Sequence, residues 1–255
     1  MSTNKRLFNK IIVIIVLQSF WILEAQLKTI PEYIPSCKRH DPRINECVKN
    51  ATIVIRPYLK KGIPELGIPA IEPLHIPMVK LEQGTDAVNY KARLSNIVID
   101  GLSTYQFREV NADIENHIIE GKIDVGNLRL RSDYVIMGRA LLLPIRGNGV
   151  LSANFSSAHA DIKMHGSVIK RKGKEYYHNT ETDVKIQIGR VKAMFDNLFD
   201  GDEMLTKVTN EFLNMHAKEI VEEVKPAVET VIAMIVDDIT NKVFQSLPYN
   251  RIFPE

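Results

Sequence analysis

Residues 228–236 read Val228-Glu229-Thr230-Val231-Ile232-Ala233-Met234-Ile235-Val236, an apolar run broken by two polar side chains. It lies inside a longer pattern from about Asp202 to Ser246. There Leu205, Val208, Phe212, Met215, Ile220, Val224, Val228, Val231, Ile235, Ile239 and Val243 recur mostly three or four residues apart. Asp202 and Glu203 suit a helix start, and Pro248 follows the end. At 1.5 Å per residue the helix would run about 65 Å, far beyond the usual three or four turns. Pro226 is expected to kink it. A helix apolar almost all round is covered on several sides. One flat sheet cannot do that, but a sheet curled along the helix can. If side chains leave the enclosed interior unfilled, it forms a tube for an elongated apolar molecule. The alternative is a filled core.

The cover is expected from residues 75–191, where the period changes to two. Val88, Tyr90, Ala92 and Leu94 alternate with Asn89, Lys91 and Arg93. Ile162, Met164, Gly166 and Val168 alternate with Lys163, His165 and Ser167, and Val184, Ile186 and Ile188 with Lys185 and Gln187. Each is a strand with one apolar face. Turn signals at Arg146-Gly147-Asn148-Gly149 and Arg171-Lys172-Gly173-Lys174 separate strands. No helical period intervenes, so an antiparallel meander is expected. The fold class is α+β, a long C-terminal helix wrapped in a highly curved antiparallel sheet.

Ahead of the strands stands a short helix with Val48, Thr52, Ile55 and Leu59 near one face, stopped at Gly62. Four prolines, Pro64, Pro69, Pro73 and Pro77, follow within Gly62–Pro77. They exclude a helix and a central strand. The run is read as an extended connection whose Ile63, Leu66, Ile68, Ile71 and Leu74 pack under the end of the roll.

Lys5, Arg6 and Lys10 precede an apolar run at Ile11–Leu17 that resumes at Phe20–Leu23. Residues 1–25 therefore read as a secretory signal peptide, leaving one domain over residues 26–255. No later stretch is apolar enough to span a bilayer, so stable membrane insertion is not expected. Secretion makes Cys37 and Cys47, the two cysteines of the chain, a disulfide pair. Asn50-Ala51-Thr52 and Asn154-Phe155-Ser156 are glycosylation sequons. The formal charge of +2 includes the basic leader. There is no basic stripe interleaved with aromatics, so nucleic acid is not an expected partner.

No catalytic constellation emerges. Gly101-Leu102-Ser103-Thr104-Tyr105 lacks the glycine that follows the serine of a nucleophile elbow. His159 and His165 have no third ligand nearby, so no metal site is expected. Asp113 and Glu115 could pair as acids on one strand face. Arg146–Gly149 lacks the lysine and serine of a phosphate loop. Neither an enzyme nor a cofactor is expected. Asp237-Asp238 interrupts the apolar helix and calls for a basic partner or a gap to solvent.

Several motifs together resemble the insect takeout and haemolymph juvenile-hormone-binding protein family, on its takeout-like branch. They are Cys37-Lys38-Arg39-His40-Asp41-Pro42 with Cys47, the run Gly62–Pro69 followed by Glu72-Pro73-Leu74, Gly101–Tyr105, Leu143–Gly149, Phe195–Asp202, and Asn241–Phe244 with the ending Pro248-Tyr249-Asn250. Glu72 stands where the family usually has Asp, and His216-Ala217 replaces a common Asn and Trp. The resemblance implies a helix rolled in a curved sheet, a disulfide near one mouth of a tunnel, and carriage of an elongated hydrophobic molecule such as a terpenoid or fatty-acyl compound. The chain lacks the additional cysteines of the hormone carriers proper. Expected wall residues are Ile55, Leu59, Phe195, Leu198, Phe199, Val224, Val228, Val231 and Ile235; for each the alternative is ordinary core. Tyr90, Tyr105 and Tyr134 are candidates for a polar headgroup, none distinguished by the sequence. The rival expectation is a secreted interaction module with a filled core, binding a receptor or carrier protein through its outer face.

Overall fold

The computed structural model describes residues 33–84, 88–141 and 143–255. The expected signal peptide lies outside them. Tyr33–Glu255 forms one compact unit. Helix α1 spans Ile44–Lys61 and ends at Gly62, whose φ of 86° suits glycine. Seven strands follow: β1 Leu74–Gly84, β2 Val88–Asp100, β3 Gln106–Asp113, β4 Ile118–Val125, β5 Leu128–Ala140, β6 Leu143–Arg171 and β7 Lys174–Phe195. Helices α2 (Glu203–Met215), α3 (Ala217–Phe244) and the short α4 (Tyr249–Ile252) complete the chain.

Every strand pair is antiparallel, as the alternation predicts, but the connection is not a meander. At about 3.3 Å per residue, the 29 residues of β6 could span about 95 Å, too long for one neighbour. One edge of β6 takes β5 along residues 143–155 and β4 along residues 158–165. The other edge pairs with β7 along residues 151–171. Two half-sheets therefore share the β6–β7 hairpin: β5, β2 and β1 beyond one half, β4 and β3 beyond the other.

Both half-sheets curl back onto helices. Helix α3 touches β7 and also β1, the far margin of the first half-sheet. Helix α1 packs on β3, the far margin of the second, while its Ile55 and Leu59 share a cluster with Ile239 and Val243 of α3. One helix thus forms the axis of two successive half-rolls.

The turn expected at Arg146–Gly149 is strand interior. Its glycines serve close approach, because the chain after β7 crosses over them. A Cβ on Gly147 would lie 2.9 Å from the Asn197 carbonyl oxygen, and one on Gly149 would meet the Asp196 carboxylate. Gly147 forms a backbone bridge with Leu198. The turn at Lys172-Gly173 is present, with φ of 48° and 76°.

The single long C-terminal helix is also corrected. It breaks at His216 (φ −105°, ψ 23°), while Pro226 lies inside α3. A straight rod of that length would diverge from the twisted β7. The break lets α2 and α3 each follow the strand.

In the proline run, Ile63, Leu66, Ile68, Ile71 and Leu74 are all buried, as expected. The run is not simply extended, because Pro64–Leu66 forms a 3-10 turn between the bridged residues Ile63 and Ile68. Glu72 holds this run to the next loop: its two carboxylate oxygens accept the Gly101 and Ser103 amides at 2.8 and 2.9 Å. Burial pushes the Glu72 carboxyl up. The Gly101 and Ser103 hydrogen bonds and the Lys60 charge outweigh that, so its pKa is lowered from 4.5. A lowered folded pKa stabilises above the unfolded value and loses that contribution as pH falls through the folded value. Glu72→Gln should therefore be less stable than the parent at neutral pH, with the gap shrinking on acidification below about 4.5. Urea midpoints of both proteins between pH 7 and pH 3 check this; a gap independent of pH would contradict it.

The two ends of the domain are tied together. The Cys37 and Arg39 amides donate to the Ile252 and Pro254 carbonyls at 2.8 and 2.9 Å. Arg39 pairs with Glu255 at 2.7 Å and lies over the Tyr249 ring. Cys37 and Cys47 are disulfide-bonded beside this tie.

Candidate functional site

The nine expected wall residues fall into groups along the helices and the curled sheet. Ile55 and Leu59 lie at the α1 end, packed on Ile63, Leu66 and Ile68. Val228, Val231 and Ile235 follow one another on α3, each partly buried. Val224 packs against Tyr90 and Ala92 of β2. Phe195, Leu198 and Phe199 join a cluster with Tyr134, Leu151 and Leu213 at the other end. Leu198 is 0 % exposed and has no surface to offer a ligand in this arrangement.

Burial along α3 is unusual for a central helix. Its buried residue is Glu229; Val224, Val228, Val231, Ile232, Ile235, Val236 and Ile239 all keep partial access. In a filled interior, residues facing the sheet would lose nearly all access.

A polar seam fixes α2 and α3 to β7. The outer edge of β7 has backbone groups that no strand pairs, and helix side chains occupy them. Asn210 accepts the Phe195 amide and donates to its carbonyl, at 2.8 and 2.7 Å. Asn214 does the same at Ala193, at 2.9 and 2.7 Å, and Asn241 at Asn179, at 3.0 and 3.1 Å. Glu229 accepts the Ile186 amide at 2.9 Å. Asp237 accepts from Thr182 and Asn179, so it finds neutral donors; Asp238 has the basic partner, Lys242, at 2.6 Å. At the β3 edge α1 acts likewise, with Asn45 accepting the Ala112 amide and Lys49 donating to the Arg108 carbonyl, both at 2.8 Å. Apart from Asp237 and Asp238, sequence reasoning gave these residues no role in the seam. The available signal was a lone Glu229 inside an apolar run.

The structure separates the three tyrosine candidates. Tyr105 donates to the Thr52 carbonyl at 3.2 Å, and Tyr134 to the Asp196 carbonyl. Burial pushes both up to about 12; Arg56 partly offsets it at Tyr105, and Asp196 adds to it at Tyr134. Tyr90 is also raised by burial, but its hydroxyl has no hydrogen-bond partner.

The remaining sequence candidates have structural partners. Asp113 accepts the Asn116 backbone and side-chain N–H groups at 3.0 and 2.8 Å, closing the β3–β4 turn instead of pairing with Glu115. His159 lies 2.6 Å from Asp124, which also holds Arg108 at 2.8 Å. Among the described residues no group of three acidic, histidine or cysteine side chains could hold a metal. No helix among them is long and apolar enough to cross a membrane. An open groove of about 690 Å³ lies where β4 gives way to β5, with Leu128, Phe155 and Val191 beside Glu72, Arg129 and Lys192 in its lining. Its lining mixes apolar and charged side chains.

The haemolymph juvenile hormone binding protein family model matches residues 11–254. The circadian clock-controlled protein daywake of Drosophila melanogaster is 23% identical over 232 residues, covering 88% of each chain. A protein of Schistocerca gregaria provisionally named as beta-carotene-binding is 24% identical over 207 residues, 78% of this chain and 79% of its own. The crystal structure of Takeout 1 from Epiphyas postvittana has the same fold, with a TM-score of 0.76 at 20% identity, covering 86% of this chain and 99% of that one. With its curled antiparallel sheet, axial helix and a match over nearly its whole length, the chain belongs to the haemolymph juvenile hormone binding protein family.

Proposed function

We propose that the protein is a secreted, non-enzymatic carrier that holds an elongated hydrophobic molecule between α3 and the curled sheet. The observation that carries this is the partial accessibility of the apolar residues all along a helix clasped by β7 and β1. Family membership and the disulfide support it. The wall set is Ile55, Leu59, Phe195, Phe199, Val224, Val228, Val231 and Ile235. The driving force is desolvation: burying about 400 Å² of apolar ligand surface at about 25 cal/mol per Å² gives about 10 kcal/mol before association and ordering costs. Juvenile-hormone-like terpenoids and fatty-acyl compounds fit that chemistry. Asn50 and Asn154 are both exposed, and we assign them as glycan acceptors on the secreted form.

Native mass spectrometry of the protein secreted by insect cells tests the proposal. The expected result is a discrete added mass, released on denaturation and identified after organic extraction. A bare protein mass, with no uptake from a panel of terpenoids and fatty acids, would overturn it for those ligands.

A second reading, an interaction module, is favoured by one feature. Helix α2 exposes Met204, Leu205, Val208 and Met215 on one side, from 49% to 78% accessible. A stable complex with a secreted partner that is lost in Met204→Glu/Val208→Glu, together with an empty interior, would favour it.

A further inference from the structure

Three side-chain polar atoms among the described residues are buried without a hydrogen-bond partner: Tyr90 Oη, Ser132 Oγ and Asn179 Oδ1. Asn179 is otherwise engaged, its amide donating to Thr182 and Asp237. Ser132 has only a short hydroxymethyl arm close to its own strand. Tyr90 differs from both. It is 7% exposed, and its ring projects into an apolar cluster with Ala92, Leu81, Ile136, Leu141 and Val224, between the sheet and α3. Its neighbours across the two ladders are Gln83 of β1 and Gly138 of β5, and the latter has no side chain to flank the ring.

The other buried tyrosines behave in another way. The hydroxyls of Tyr134, Tyr177 and Tyr249 donate to the carbonyls of Asp196, His117 and Ile114. The half-buried Tyr105 likewise reaches Thr52. An unpaired buried hydroxyl is a cost to folding that phenylalanine at the same position would avoid. Tyr90 carries that cost at the point where Val224, an expected wall residue, meets the sheet. Leu81, Leu141 and Val224 around it are only partly buried, so a rotamer change gives a bound molecule access to the hydroxyl.

We propose that the Tyr90 hydroxyl is the polar anchor for the carried molecule, donating a hydrogen bond to a carbonyl oxygen, of an ester, ketone or aldehyde, at one end of an elongated apolar body. This rests on the carrier reading. It makes the protein selective for a carbonyl-bearing ligand over the corresponding hydrocarbon. Discrimination arises because a hydrocarbon leaves the phenol unpaired, whereas a carbonyl satisfies it.

The test compares wild type with Tyr90→Phe, using farnesyl acetate and farnesene to displace the fluorophore N-phenyl-1-naphthylamine. Wild type is expected to bind the ester about five- to tenfold more tightly than the hydrocarbon, the worth of one net hydrogen bond. Tyr90→Phe should lose that preference, keep its affinity for farnesene, and melt, when empty, at the same or a higher temperature. The proposal is overturned if the variant keeps the preference, or if both ligands weaken together with a lowered melting temperature, which would mark Tyr90 as packing alone. If wild type binds neither compound and takes up no fluorophore, the carrier reading fails, and the anchor fails with it.

Discussion

Glu229→Ala lowers stability by about 2–4 kcal/mol, a fall in melting temperature of about 5–12 °C for a domain of this size. Glu229 is 7% exposed, and its carboxylate accepts the Ile186 amide at 2.9 Å from the open edge of β7. Alanine removes the acceptor, strands a buried backbone donor and leaves a void beside the strand. Glu229→Gln keeps an acceptor oxygen and is expected to lose less than about 1.5 kcal/mol. The Lys185 ammonium lies 3.4 Å away and its side chain is 78% exposed, so Lys185→Ala is expected to be near neutral. Thermal melts of the three variants decide the matter. A wild-type melting temperature for Glu229→Ala would show that the Glu229–Ile186 hydrogen bond contributes nothing to holding α3 on the sheet.

Leu198→Ala costs about 3–5 kcal/mol by the same measure. Its side chain is 0% exposed and packs with Tyr134, Ile145, Leu151 and Leu213. Its backbone is fixed by the bridge to Gly147, so the site cannot collapse around a smaller residue. Urea unfolding should show a lower midpoint with an unchanged slope. Met194→Ala, four residues earlier but 62% exposed, should stay within about 0.5 kcal/mol of wild type. Equal shifts in the two variants would refute the assignment of Leu198 to the rigid core.

The parts of the fold that were legible in the sequence are those with a local period. Alternation marked β2, β6 and β7, and the spacing of three and four marked α2 and α3. Strand order was not legible, because nothing in β6 itself says that one edge takes β5 and then β4. Gly147 and Gly149 misled for a physical reason: glycine serves a turn and a close backbone crossing equally well, and only the position of residues 196–198 tells them apart. The helix break at His216 escaped because Pro226 is the stronger local signal for an interruption. Apolar lining residues could be picked from periodicity, but a wall and a core have the same composition. Leu198 and Val231 look alike as letters, yet one has lost all access and the other has not. Nothing local in the sequence gives the asparagines at 210, 214 and 241 a role against the sheet. Their pairing with backbone amides and carbonyls depends on an edge strand that no local pattern reveals.

The tie between the two ends of the domain sets when folding can finish. The Cys37 and Arg39 amides find their acceptors on Ile252 and Pro254, and Arg39 finds its anion on Glu255. During synthesis the disulfide-bearing segment emerges first and its partners emerge last. The axial helix, too, is made only after all seven strands. Until the axial helix has been made, the concave face of the sheet has nothing to close on. This domain therefore closes only once its C-terminal elements have been made, and until then the long unclosed sheet must be kept from pairing with its neighbours.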